Sequence, residues 1–191
     1  MANALTYKQR YEIAHGIKRG KVTPKNADLI IVDRSGSMGL LAIGGKGRIE
    51  CVREALGPFK NRAHVLAFND QCVEVDCDTI PDASGGTDLA RALSTANSLE
   101  PIHVLVMCDG EPNNGPKALK VAGEIAKQCI IDALYIGPED DTTAIGFMKE
   151  LAAVGHGRFS MFNLNEQSPL LLSQGVATML ALPDPDSVVK L

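Results

Sequence analysis

Two rhythms of hydrophobic residues alternate along this chain. Leu29-Ile30-Ile31-Val32 is an unbroken apolar run that ends in a polar loop, the pattern of a parallel strand covered on both faces. Ile49, Val52, Leu56 and Phe59 then recur at the spacing of one helical face. Residues 64–68 and 72–75 read as a second and third strand. Only Asn69-Asp70-Gln71 separates them, which predicts an antiparallel hairpin. A Gly/Ser/Asp loop ends in Ser84-Gly85-Gly86-Thr87 and leads into a helix with Leu89, Leu93 and Ala96 inward. The remainder reads as strand 102–108, helix 118–127 entered through Pro116, strand 130–136, helix 142–153, strand 158–162 and a last apolar helix 168–182 stopped by Pro183.

Repeated strand–helix alternation implies an α/β domain, a doubly wound and mostly parallel sheet with helices on both faces. The domain spans residues 27–182. Residues 1–26 read as a basic helix and a linker, and 183–191 as a tail. With 191 residues there is room for one domain and a sizeable core. Trp is absent and aromatics make up 4%, so that core must be aliphatic.

The charge changes the picture only locally. The chain is −4 overall, which argues against a general nucleic-acid binder. Residues 1–25 nevertheless carry six basic side chains and one acidic; the preferred reading of that stretch is a solvated helix or docking arm. The five cysteines are scattered, with no C-x-x-C pair, as expected of core filler in a reducing compartment. Neither a signal-peptide core nor a run of 18 apolar residues occurs, so the expected location is cytoplasmic, without a membrane partner.

The chemistry gathers at strand ends. In open α/β sheets ligands bind outside the carboxyl ends of the strands. The first strand runs directly into Asp33-Arg34-Ser35-Gly36-Ser37, and the fourth into Asp109-Gly110-Glu111-Pro112. Alternate spacing in an extended turn lets Asp33, Ser35 and Ser37 converge, and Gly36 allows a close turn. Two carboxylates and several hydroxyls are hard oxygen donors that suit Mg²⁺, with Mn²⁺ or Ca²⁺ as alternatives. Asp33 and Asp109 would cancel the charge of the ion, while Ser35, Ser37 and Thr87 would add neutral oxygens. One coordination position would remain for an external carboxylate.

These residues resemble the metal-ion-dependent adhesion site (MIDAS) of von Willebrand factor A-type (vWA) domains: a D-x-S-x-S motif at 33–37, a Thr at 87 after a second loop, and a D-G pair at 109–110. The resemblance implies a Rossmann-like six-stranded sheet of order 3-2-1-4-5-6 with strand 3 antiparallel. It implies Asp33, Ser35, Ser37, Thr87 and Asp109 as metal residues, some acting through water. It also implies a non-enzymatic adaptor that presents the ion to an Asp or Glu of a protein partner, in some families within an assembly containing an AAA+ ATPase. Partner selection is expected from the rim at 38–47, 84–88 and 111–115. Arg34, Met38, Leu40, Leu41, Asp88 and Glu111 are its named candidates, although Asp88 and Glu111 also read as helix-start or solvent-facing acids and Arg34 as a plain surface residue.

Two other classes stay open: a metal-dependent hydrolase, and a scaffold that uses the fold without obligatory metal. Residues 40–47 lack the Gly and the Ser or Thr of a phosphate loop. A haloacid-dehalogenase nucleophile would need a carboxylate where Ser35 stands. The four histidines show no ligand spacing, and Ser35-Gly36-Ser37-Met38 is not a hydrolase elbow.

Overall fold

A computed structural model describes residues 28–60 and 63–180. The expected N-terminal helix, the linker and the C-terminal tail lie outside the described residues. β1 (Leu29–Asp33) is buried along its whole length. It pairs in parallel with β2 (His64–Phe68) on one side and β4 (His103–Cys108) on the other. Such a strand has no solvent face, which is why its run is apolar without interruption. β3 (Cys72–Val75) closes one edge antiparallel to β2. β5 (Ile130–Tyr135) and β6 (His156–Met161) extend the other side in parallel. The order is β3-β2-β1-β4-β5-β6, with β3 antiparallel, as the family resemblance implied.

Alternation along β1 builds two cores. Leu29 and Ile31 join α2 (Leu89–Ser98), α3 (Gly115–Ile125) and α4 (Thr142–Val154) on one face. Ile30 and Val32 join α1 (Arg48–Leu56) and α5 (Pro169–Met179) on the other. All four side chains have no exposed surface, and burial of each stabilises the fold by about 1.5–3 kcal/mol. The largest fully buried side chains include three aromatics, Phe59, Phe68 and Tyr135, and most of the remaining filling is aliphatic.

Helix starts follow local chemistry. Asp88, Asn114 and Asp141 each cap a helix by accepting from a backbone N–H three residues on. Glu50 reaches back to the Gly47 amide at 2.6 Å, one half of a capping box. Boundaries moved by a few residues from those expected. β6 begins at His156 rather than 158, and the last helix ends at Met179, ahead of Pro183. None of the described helices is long and apolar enough to cross a membrane.

This topology creates a crevice. β1 and β4 are neighbours, yet the helix after β1 packs on one face and the helix after β4 on the other. The two polar loops therefore leave adjacent strand ends in diverging directions, and the gap between them is the switch point.

Candidate metal centre

The loop after β1 curls back on itself. The Ser35 amide donates to Asp33 Oδ1 at 2.7 Å, and a short 3-10 turn (Gly36–Gly39) follows. The curl sets Ser35 Oγ 3.0 Å from Ser37 Oγ. Ser37 Oγ in turn donates to Asp109 Oδ1 at 2.8 Å, across from the end of β4. Cis ligands of an octahedral Mg²⁺ at about 2.0–2.1 Å are separated by about 2.8–3.0 Å. Both spacings are those of ordinary O–H···O hydrogen bonds and are also compatible with octahedral edges, and the chemistry of these three side chains, two hydroxyls and a carboxylate, fits the donor set of a small hard cation. Among the described residues no three His, Cys, Asp or Glu side chains form a metal-holding group, so any such site here needs other oxygen donors, and the two hydroxyls are available ones.

Thr87 lies on a third loop that is bonded to the other two. The Gly36 amide donates to the Gly85 carbonyl at 3.0 Å. The Asn113 amide donates to the Thr87 carbonyl at 3.0 Å, and the Thr87 amide to Asn113 Oδ1 at 3.3 Å. Gly85 adopts φ +73°, and a Cβ there would lie 2.5 Å from Asp70 Oδ2. Only glycine permits that approach. Ser35 and Asp109 are buried, Ser37 and Thr87 half-buried, and Gly36 exposed, so the cluster meets solvent along one side.

Asp33 lies deepest, with no exposed surface. Its Oδ2 accepts from the Cys108 thiol at 2.7 Å, so both of its oxygens are engaged by its own chain. Burial pushes its pKa up to about 6 against the Cys108 and Ser35 hydrogen bonds, and the Asp109 charge adds to the rise. Burial also holds the Cys108 thiol well above its usual range, with the Asp33 charge assisting.

The expected rim residues divide into buried, self-engaged and exposed ones. Met38 is a correction: it is fully buried in the α1–α5 core, because the 3-10 turn folds it under the loop. The Arg34 guanidinium is engaged by its own chain, donating to Asn69 Oδ1 and Ser84 Oγ, each at 3.1 Å. Asp88 is a helix cap, partly covered and within 3.4 Å of Arg91 Nε. Leu40 and Leu41 are 56% and 70% exposed, and Glu111 is exposed. Glu111 borders a groove of about 530 Å³ that includes Pro116, Leu119, Phe147 and Glu150.

One residue at the centre escaped the sequence reading. Arg48 Nη1 donates to Asp109 Oδ2 at 2.6 Å, and both side chains are buried. Arg48 opens α1, after the exposed Gly44-Gly45 turn, where an arginine looks like any solvated helix residue. Asn113 and Cys108 were missed for similar reasons: each reads as loop or core filler, and only the pairing of strand ends reveals its contact.

Comparison with known proteins supports the architecture. No family model matches the chain, and no curated protein matches it in sequence. Among solved structures, the chain is similar to one described as the SpRpn10 VWA domain, with a TM-score of 0.57 and 13% identity, over 78% of this chain and 94% of that one. The fold is thus that of a vWA domain.

Proposed function

We propose that this chain is a protein-interaction module that binds a divalent cation, Mg²⁺ by preference, and presents it to a carboxylate of a partner. The observation that carries the reading is the convergence of the Ser35 and Ser37 hydroxyls and the Asp109 carboxylate, within hydrogen-bond distance of one another, at the switch point between β1 and β4. Thr87 is assigned to the same set by its place in the motif, and its backbone is bonded to Asn113 in the loop that follows Asp109. Asp33, with both oxygens engaged, acts through its charge and through the Ser35 amide, whose position it fixes. When bound, the ion supplies a Lewis-acidic position to which an Asp or Glu side chain can add.

The chain's own residues define the approach. Leu40 and Leu41 give an apolar ledge on one side of the cluster, where contiguous exposed apolar surface marks contact sites. Glu111, two residues beyond Asp109, and Glu150 bring carboxylates to the neighbouring groove. The vWA fold of the SpRpn10 structure favours an interaction role by analogy. Membership of an assembly containing an AAA+ ATPase rests on the motif resemblance alone.

Isothermal titration of Mg²⁺ into the wild-type chain and Asp109→Ala tests the site, and unchanged affinity in the variant would refute it. Affinity capture of partners with Mg²⁺ and with chelator tests the function; capture should fail under chelation. Phosphoester turnover that needs Mg²⁺ and vanishes in Asp33→Ala would instead establish a hydrolase.

One observation favours a second reading. Both oxygens of Asp109 and both of Asp33 already have partners within the chain, and Arg48 supplies a cation. The cluster could then serve as a metal-free structural lock in a scaffold, in which case chelation would leave partner capture intact.

A further inference from the structure

Arg48 alters the charge of the site in a way that a count of the motif residues misses. Two carboxylates, Asp33 and Asp109, with the Arg48 guanidinium leave a net −1 at the crevice. A divalent cation would turn this to +1, and one added carboxylate would restore neutrality. Without Arg48 the same sequence would run −2, 0, −1, so the ion alone would already be neutralised and the incoming acid would gain less from the net charge of the site.

The pair is incomplete as an ion pair. Asp109 Oδ1 is taken by the Ser37 hydroxyl, so Arg48 is held through Oδ2, and its Nε is buried with no hydrogen-bond partner. A bidentate fork would be the stable structural arrangement. Arg48 also stands at the first residue of α1, where the helix dipole disfavours a cation. Its amide donates to the Leu40 carbonyl at 3.0 Å, which ties it to the exposed ledge.

We propose that Arg48 makes cation and carboxylate bind as a unit: the site holds the divalent ion weakly alone and tightly once an acidic side chain arrives. This rests on the metal reading above. Arg48 is a positioning residue, since it is too buried to touch a partner. It sets the field in which the ligands assemble, and at low local dielectric that field is little screened.

The test is titration of Mg²⁺ alone, and of Mg²⁺ in saturating acetate, into the full wild-type chain and Arg48→Met at about pH 8, well above the ordinary carboxylate range. Acetate should raise the wild-type Mg²⁺ affinity by about tenfold, within the usual range of coupling between sites. Arg48→Met should bind Mg²⁺ alone more than about tenfold more tightly than wild type, because a unit charge a few ångströms from a dication is removed. Acetate should no longer help it. If Met at this buried position prevents folding, Arg48→Gln keeps a hydrogen-bonding group and carries the same expectation, read as a larger rise of Tm with Mg²⁺ than in wild type. Equal Mg²⁺ affinities in wild type and variant, with no response to acetate, would overturn the coupling while leaving the metal site standing. Absence of Mg²⁺ binding in both folded proteins would overturn the metal reading and this inference together.

Discussion

Asp33→Asn should make the metal-free protein more stable while weakening its response to metal. Asp33 is buried, and its pKa is raised from 3.8 to about 6. A carboxyl whose folded value lies above its unfolded value penalises folding once ionised. The penalty is absent below the unfolded pKa, grows as pH rises from about 4 to 6, and is complete above that. The rise from 3.8 to about 6, at about 1.36 kcal/mol per pH unit, corresponds to about 3 kcal/mol once the carboxyl is fully ionised in both states. Asn is neutral, nearly isosteric, and keeps an acceptor for the Ser35 amide, so it should recover most of that amount. Urea unfolding in chelator, at an m-value of about 2 kcal/mol/M, would move the midpoint up by about 1.5 M at pH 8 and by almost nothing below pH 4. Added Mg²⁺ should then stabilise wild type at pH 8 and narrow the gap. A variant less stable than wild type at pH 8, or a gap independent of pH, would show that the carboxylate is not held at a cost to the fold.

Other perturbations probe the framework. Gly85→Ala forces a side chain into positive φ and against Asp70, so it should destabilise by about 1–2 kcal/mol and weaken Mg²⁺ binding, measured by thermal melts and titration. Arg158→Ala strips Nε and Nη2 from the buried Asp132 carboxylate and a donor from the Met179 carbonyl. With the arginine half-exposed, the expected loss is about 1–3 kcal/mol by urea titration, with Mg²⁺ affinity unchanged because the contact lies at the opposite ends of the strands. For His103, burial lowers the pKa, but the Asp28 and Asp132 carboxylates, each 3.2 Å away, outweigh it and the net shift is upward. Its contribution to stability is present below pH 6.5 and lost as pH rises through the folded value; proton NMR should place the His103 titration above 6.5, and His103→Gln should flatten that part of the stability profile.

The strand and helix rhythm, the hairpin at Asn69-Asp70-Gln71 and the position of the polar loops were legible in the residues alone. Each is a local consequence of period, turn chemistry or burial on two faces: Leu29 to Val32 can be apolar throughout only if neighbours cover both sides. The D-x-S-x-S and D-G segments could be placed at strand ends for the same reason. What local pattern could not decide was which side chains meet across the crevice. Met38 and Leu40 sit two residues apart in one Gly-rich loop, yet a single 3-10 turn buries the first and exposes the second. Arg34 and Arg48 both look like surface cations in sequence, and contacts 35 and 61 residues away bind them to Asn69 and Asp109. The charge of the site is therefore a tertiary property. It depends on a partner contributed by another element, and an electrostatic interaction across such a distance leaves no periodic trace in the chain.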